Sequence, residues 1–227
     1  MTVPSTKSNL GALTPMMRFD PTRFARTAEA PPPWLAGCRA GEPAAIEALF
    51  AECLPGVERL LGRLVGASPD LEDLVHDTFA EVLRARPRFR GDARVSTWIA
   101  SIAVHVAQHH LRAGRLRRYQ SLEAVPDAEL ASEMPDHDRR LDERRLGQAL
   151  YALLDRIAPN KRLALLLFAV DERPVEEVAA LMGASQTATR SRVFFARREL
   201  RRLIAGHADL SSWANTLFGE PAREVEP

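Results

Sequence analysis

Two imidazoles, His105 and His109, stand four residues apart, the spacing at which one helix face can offer two metal ligands. A zinc hydrolase built on that spacing needs a glutamate beside the first histidine as general base, and position 106 is Val106. No third ligand is evident nearby, so neither a metal nor any other cofactor is expected. The chain also lacks a glycine-rich phosphate loop and a nucleophile elbow. The residues therefore argue against an enzyme. Cys38 and Cys53 lie in stretches that otherwise read as core, and they are expected to be small buried hydrophobes, with no disulfide or metal knuckle.

Arginine offers a different chemistry: its planar guanidinium matches two acceptors at once on a phosphate or a guanine edge. The net charge is only +1, but the charges are segregated. From Glu42 to Glu81 there are nine acids against two arginines, and from Arg84 to Arg118 nine arginines against one acid, Asp92. Tyr119 to Asp138 holds six acids and no Lys or Arg, and Thr189 to Arg202 six arginines against Glu199 alone. Two basic blocks set between acidic ones suggest two polyanion-binding patches on one chain.

The sharpest local pattern runs from Val175 to Arg197. Val178, Ala179, Leu181 and Met182 make the inner face of a short helix, Gly183 supplies a tight turn, and Ser185 can cap a helix from Gln186 past Arg198. This is the plan of a helix-turn-helix, whose second helix enters the major groove with its first residues on base edges. Gln186 and Thr187 stand there, followed by Arg190, Ser191 and Arg192. A hairpin of this kind also serves plain packing or protein binding. Arg197, Arg198, Arg201 and Arg202 suit phosphate contacts or a solvated face equally.

These groups need elements to hold them. Of the 227 residues, 46% are apolar and 27% charged, ordinary for a protein with a real core. No apolar run is long enough for a transmembrane span, and no secretion signal opens the chain, so a cytoplasmic location without membrane insertion is expected. The expected fold class is all-α, with two helical domains joined by a flexible linker. Residues 1–36, rich in Pro, Thr and Ala, read as a flexible extension. Residues 37–118 form the first domain, beginning with the stripe Ile46, Leu49, Phe50, Cys53, Leu54, Val57, Leu60, Leu61 and Leu64. Pro55-Gly56 predicts a kink there or two short helices. Ser68-Pro69 predicts the next helix start, Pro87 its end, and Ser96 the cap of a third helix through Leu111. Residues 119–140 read as an acidic linker. Residues 141–205 form a four-helix domain with breaks near Pro159, Pro174 and Gly183, and 206–227 a tail with a short helix around Leu210 to Phe218.

Three blocks carry a resemblance. "RPVEEVAALMGASQTATRSRVFFARREL" is similar to region four of the bacterial sigma factors of the extracytoplasmic-function (ECF) group. "DLEDLVHDTFAEVLRARPRF" resembles the polymerase-binding helix of region two, and "FRGDARVSTWIASIAVHVAQHHLR" the adjoining element that melts and reads minus-10 DNA. The resemblance implies a non-enzymatic factor that carries core RNA polymerase to promoter DNA, with an anti-sigma factor as a further partner. On it, the polymerase-binding residues are Asp70, Asp73, Leu74, Asp77 and Glu81. Asp73, Asp77 and Glu81 recur every fourth residue, so they form one acidic helix stripe that would complement a basic partner. The residues for the melted minus-10 strand are Phe89, Arg90, Asp92, Arg94, Ser96, Thr97, Trp98, His105, His109 and Arg112, with Trp98 read also as a core anchor. Those for duplex minus-35 DNA are Ser185, Gln186, Thr187, Arg190, Ser191, Arg192 and Arg197.

The chain departs from the family pattern in places. His105 and His109 stand where asparagine, or asparagine or aspartate, is usual. Ala188 stands where threonine is usual and Thr189 where an apolar residue is usual, which puts the minus-35 sequence in question and leaves the fold as it is. Two other readings use the same helix-turn-helix: a DNA-binding regulator that never meets polymerase, and a pseudo-sigma adaptor that binds a regulator.

Overall fold

The computed structural model describes residues 32–89, 93–120, 139–205 and 210, with backbone alone at 119–120 and 139–144. Every described element is helical: α1 (Leu35–Ala40), α2 (Pro43–Val65), α3 (Leu71–Ala85), a 3-10 turn (Arg86–Arg88), α4 (Val95–Gln120), α5 (Arg139–Leu154), α6 (Pro159–Ala169), α7 (Val175–Leu181) and α8 (Gln186–Ile204). Helices α1 to α4 form the first domain and α5 to α8 the second.

Packed chain begins before residue 37. Leu35 and Cys38 are buried on α1, and Trp34 Nε1 donates to Glu52 Oε2 on α2 at 2.6 Å. The sequence had no periodic signal for so short a helix. Nor does Pro55 divide α2, which runs unbroken from Pro43 to Val65. Pro55 and Gly56 lie on the solvent side, while Leu49, Val57, Leu60, Leu61 and Leu64 face the core. Burying a leucine contributes about 1.5–3 kcal/mol, and Leu49 before the proline with Leu60, Leu61 and Leu64 after it offset its cost of about 3 kcal/mol.

The start of α3 falls two residues later than Ser68-Pro69 suggested. Ser68 is not the N-cap: its Oγ accepts from Asp70 N at 3.2 Å within a turn, Asp70 takes the cap position without a side-chain cap bond, and the helix opens at Leu71. Pro87 ends α3 as expected by forcing the 3-10 turn. Helix α4 begins at Val95 and continues nine residues past Leu111, into the range read as linker. The linker range loses its last two residues as well, because α5 starts at Arg139; residues 121–138 lie outside the described residues.

The second domain matches the breaks read from Pro159, Pro174 and Gly183. Pro159 and Pro174 sit at the entries of α6 and α7, and Gly183 takes φ +59° in the turn before α8. Leu163 to Leu167 are all buried, so α6 is the central helix of this domain. Leu210, assigned to the tail, is buried; the rest of the short helix expected there lies outside the described residues.

The two domains touch along a seam where polar contacts flank an apolar core continuous through both. Gln108 Nε2 and Arg112 Nη2 of α4 donate to Asn160 Oδ1 at 2.7 and 3.1 Å. Arg63 of α2 pairs with Asp171 in the loop after α6. Arg118 stands 3.5 Å from Asp155. Gly66, just past α2, has φ +82° and lies against the Tyr151 ring, which an added Cβ would meet at 2.6 Å.

Candidate nucleic-acid interface

Helix α8 is built to expose its first turns. Thr189, Val193, Ala196, Leu200 and Ile204 recur at three- and four-residue steps on the buried face. That leaves Ser185, Gln186, Thr187, Arg190 and Ser191 exposed on the other side, with Arg192 half-buried. Ser185 is the N-cap, its Oγ accepting from Ala188 N at 3.1 Å. Arg190 is held outward by Gln186 Oε1 at 3.3 Å and by Glu176 Oε1 of α7 at 3.5 Å. Thr189 is fully buried, and its hydroxyl donates to Ser185 O at 2.9 Å. The helix thus accepts a hydroxyl at an apolar position by returning it to the preceding turn.

Arg197 is a different case. Its guanidinium lies over the Phe168 ring at 5.1 Å with Nε buried, so the side chain is half-buried against α6.

In the first domain the acidic stripe is real. Asp70, Asp73 and Asp77 are exposed on α3, and Glu81 is half-buried in an ion pair with Arg84. Leu74, named with them, is 5% exposed and packs inward with Phe79 and Val82. It supports the stripe from beneath and offers no surface, because it falls one step round the helix from the carboxylates.

The minus-10 candidates divide in the same way. Phe89 and Trp98 are both buried and stack with ring centroids 4.6 Å apart. Phe89 is further enclosed by Arg39, whose guanidinium bonds Phe89 O and lies 5.7 Å from the ring centroid. The pair anchors the core, so neither ring is open to a base. Arg94 and Ser96 are exposed and Thr97 is half-buried, all at the start of α4. Arg90 and Asp92 lie outside the described residues.

Further along α4, His105 Nδ1 donates to Ser101 O at 2.6 Å, which leaves Nε2 the acceptor in the neutral ring. Burial holds its pKa below the usual imidazole value, and so too for His110, which stands 3.7 Å from Asp70. His109 and Arg112 are exposed. Among the described residues no three His, Cys, Asp or Glu side chains gather as a metal site.

Sequence reasoning missed the groups of the domain seam, above all Arg162, which is 1% exposed. A signal was available: an arginine inside the apolar run of α6, four residues before Leu166 on the same face.

Comparison with known proteins bears on this geometry directly. The Sigma-70 region 2 family model matches residues 49–117, and the Sigma-70, region 4 model residues 147–200. The RNA polymerase sigma factor CarQ of Myxococcus xanthus is 34% identical over 167 residues, covering 73% of this chain and 92% of CarQ. The chain belongs to the ECF sigma factors of the sigma-70 family. The ECF RNA polymerase sigma-E factor of Escherichia coli strain K12 is 29% identical over 166 residues, covering 70% of this chain and 86% of its own. Among solved structures, CnrH in complex with the cytosolic domain of CnrY superposes with a TM-score of 0.53 at 20% identity, covering 83% of this chain and all of CnrH. That likeness concerns the fold. As a sigma factor, the chain directs transcription initiation with RNA polymerase. Its family is not normally catalytic, and among the described residues no helix is long and apolar enough to cross a membrane.

Proposed function

We propose that the chain divides a sigma factor's work among three helix faces and performs no catalysis of its own. The α3 stripe of Asp70, Asp73, Asp77 and Glu81 docks on a basic surface of core polymerase. Arg94, Ser96, Thr97, His105, His109 and Arg112 engage the melted minus-10 strand, where basic groups follow the backbone and short polar side chains meet unstacked bases. Gln186, Thr187, Arg190, Ser191 and Arg192 read duplex minus-35 DNA in the major groove. The domains run over 37–118 and 141–205, with α1 added to the first.

The observation that carries this reading is α8 itself: its buried stripe fixes its rotation, so the groups that can read bases are the ones left facing solvent. An anti-sigma factor is the further partner that the family implies, and the solved relative CnrH is itself held by a cytosolic domain, that of CnrY.

The test is a charge reversal at Asp73 and Asp77 to lysine, scored for binding to core polymerase and for duplex minus-35 binding by the same protein. Polymerase binding should fall while duplex binding stays. Equal loss of both would mean misfolding and defeat the division of labour. Tight duplex binding by the wild type without any polymerase binding would favour the regulator reading. Binding of a protein regulator with no binding to DNA would favour the adaptor.

A further inference from the structure

Helix α8 leaves two phenyl rings open to water. Phe194 and Phe195 are 50% and 48% exposed. The buried face of the helix is complete without them, in Thr189, Val193, Ala196, Leu200 and Ile204. Single apolar residues are ordinary on a protein surface; what sets this pair apart is its place.

Phe194 follows Thr187 by seven residues, Arg190 by four and Ser191 by three. At about 3.6 residues per turn it therefore lies on the base-reading side, one turn beyond Arg190 and Ser191. Arg198, also exposed, comes four residues later on the same side. From its N-terminus onward, the open side of α8 thus runs polar, apolar, cationic. The polar groups suit base edges and the guanidinium suits phosphate, and the ring stands between them.

Phe195 turns to the flank next to α6. The two rings meet edge to face, with centroids 5.4 Å apart and planes at 79°. Lys161 Nζ of α6 lies 5.9 Å from the Phe195 centroid and is paired with Glu199 at 2.9 Å. Phe195 is thus steadied from α6, and Phe194 from Phe195. A rigid side chain propped in this way gives up little freedom on binding.

The surroundings select the partner. Six arginines lie between Arg190 and Arg202 against Glu199 alone, which favours a polyanion over an apolar protein surface. In the major groove of duplex DNA, the apolar group on offer is the C5-methyl of thymine.

We infer that Phe194 reads a thymine methyl in the minus-35 duplex, with Phe195 as the positioning residue that holds its ring. The inference deepens the sigma-factor reading above and rests on it. At about 1.5 Å per residue, Phe194 lies about 10 Å along the helix from Thr187, or about three base pairs at about 3.4 Å each. The thymine therefore lies about three pairs from the base met by the first turn of α8.

The experiment uses the full chain with core polymerase, and duplex DNA whose minus-35 segment the wild type has selected from a random pool. Each thymine of that segment is replaced in turn by uracil, which lacks only the C5-methyl. The wild type should lose affinity at one thymine by about fourfold, the worth of one methyl taken from water. Phe194→Ala should bind the thymine duplex more weakly and no longer distinguish thymine from uracil there, with discrimination at the other pairs kept. Phe194→Leu should restore part of the preference. Phe195→Ala should shrink it, and Phe195→Tyr, which keeps the ring, should retain it. Both positions are exposed, so the thermal melts should match the wild type's.

The inference falls if uracil has no effect at any thymine, or if Phe194→Ala leaves that effect intact. It falls equally if Phe194→Ala binds DNA as the wild type does and loses only a protein regulator. A wild type that selects a promoter yet ignores the methyl defeats the inference alone. A wild type that binds no promoter DNA with core polymerase defeats the sigma-factor reading and the inference with it.

Discussion

Helices α4 and α8 each carry an arginine block, and the fold treats them in opposite ways. The reading face of α8 is steadied from within its own domain, by Gln186 and by Glu176 of α7, and is presented to solvent. On α4, Arg112 and Arg118 are met by Asn160 and Asp155 of the other domain and still stay exposed. Both blocks thus stay open to solvent, one steadied from within its own domain and the other from across the seam. Arginine content identifies the ligand class; only tertiary packing tells what steadies each patch.

The largest perturbation that sharpens this contrast is Trp98→Ala. Loss of a buried indole stacked on Phe89 should cost about 3–5 kcal/mol and unfold the first domain, seen as an early transition in a urea melt. Duplex binding by α8 should survive. Trp98→Phe should keep both stability and minus-10 function, and its failure to support strand binding despite a normal melt would restore Trp98 as a base-stacking group.

Arg190→Ala comes next. If Arg190 makes a bidentate base contact, promoter affinity should drop by about 1–3 kcal/mol, concentrated at one minus-35 base pair. A uniform loss over all sequences, with a shallower salt dependence, would recast it as a phosphate contact. Ser185→Ala removes the N-cap bond to Ala188 and should cost about 1 kcal/mol of second-domain stability by thermal melting.

Acidity gives the smallest effect and again separates the domains. His105 and His110 have folded pKa values held below 6.5 by burial. The unfolded chain therefore takes up protons first, and stability falls as pH drops through 6.5 and is untouched above it. Residues 139–205 contain no histidine, so between pH 7.5 and pH 5.5 melting of the first domain should shift down further than that of the second. His105→Gln should reduce the difference.

Most of this architecture was legible in the chain. The stripe of α8, the Gly183 turn and the Ser185 cap follow from local chemistry, because backbone sterics and capping act over a few residues. The exposed carboxylates of α3 follow from a four-residue repeat. What was misread had a non-local cause. Pro55 predicts a break when only its neighbours are weighed, yet the packed leucines on both sides keep α2 whole. Phe89 and Leu74 look like site residues by position in a motif, whereas burial depends on which helix lies across from them. The seam was invisible because Tyr151, Asp155, Asn160 and Arg162 belong to one ordinary helix pair and its turn, and their partners are some forty to a hundred residues earlier.

Gly66 draws a last consequence from the seam. The Tyr151 ring rests on bare backbone there, at a φ of +82° that other residues resist. A single methyl at that position would meet the ring at 2.6 Å, so any other side chain there must push α5 away from the end of α2.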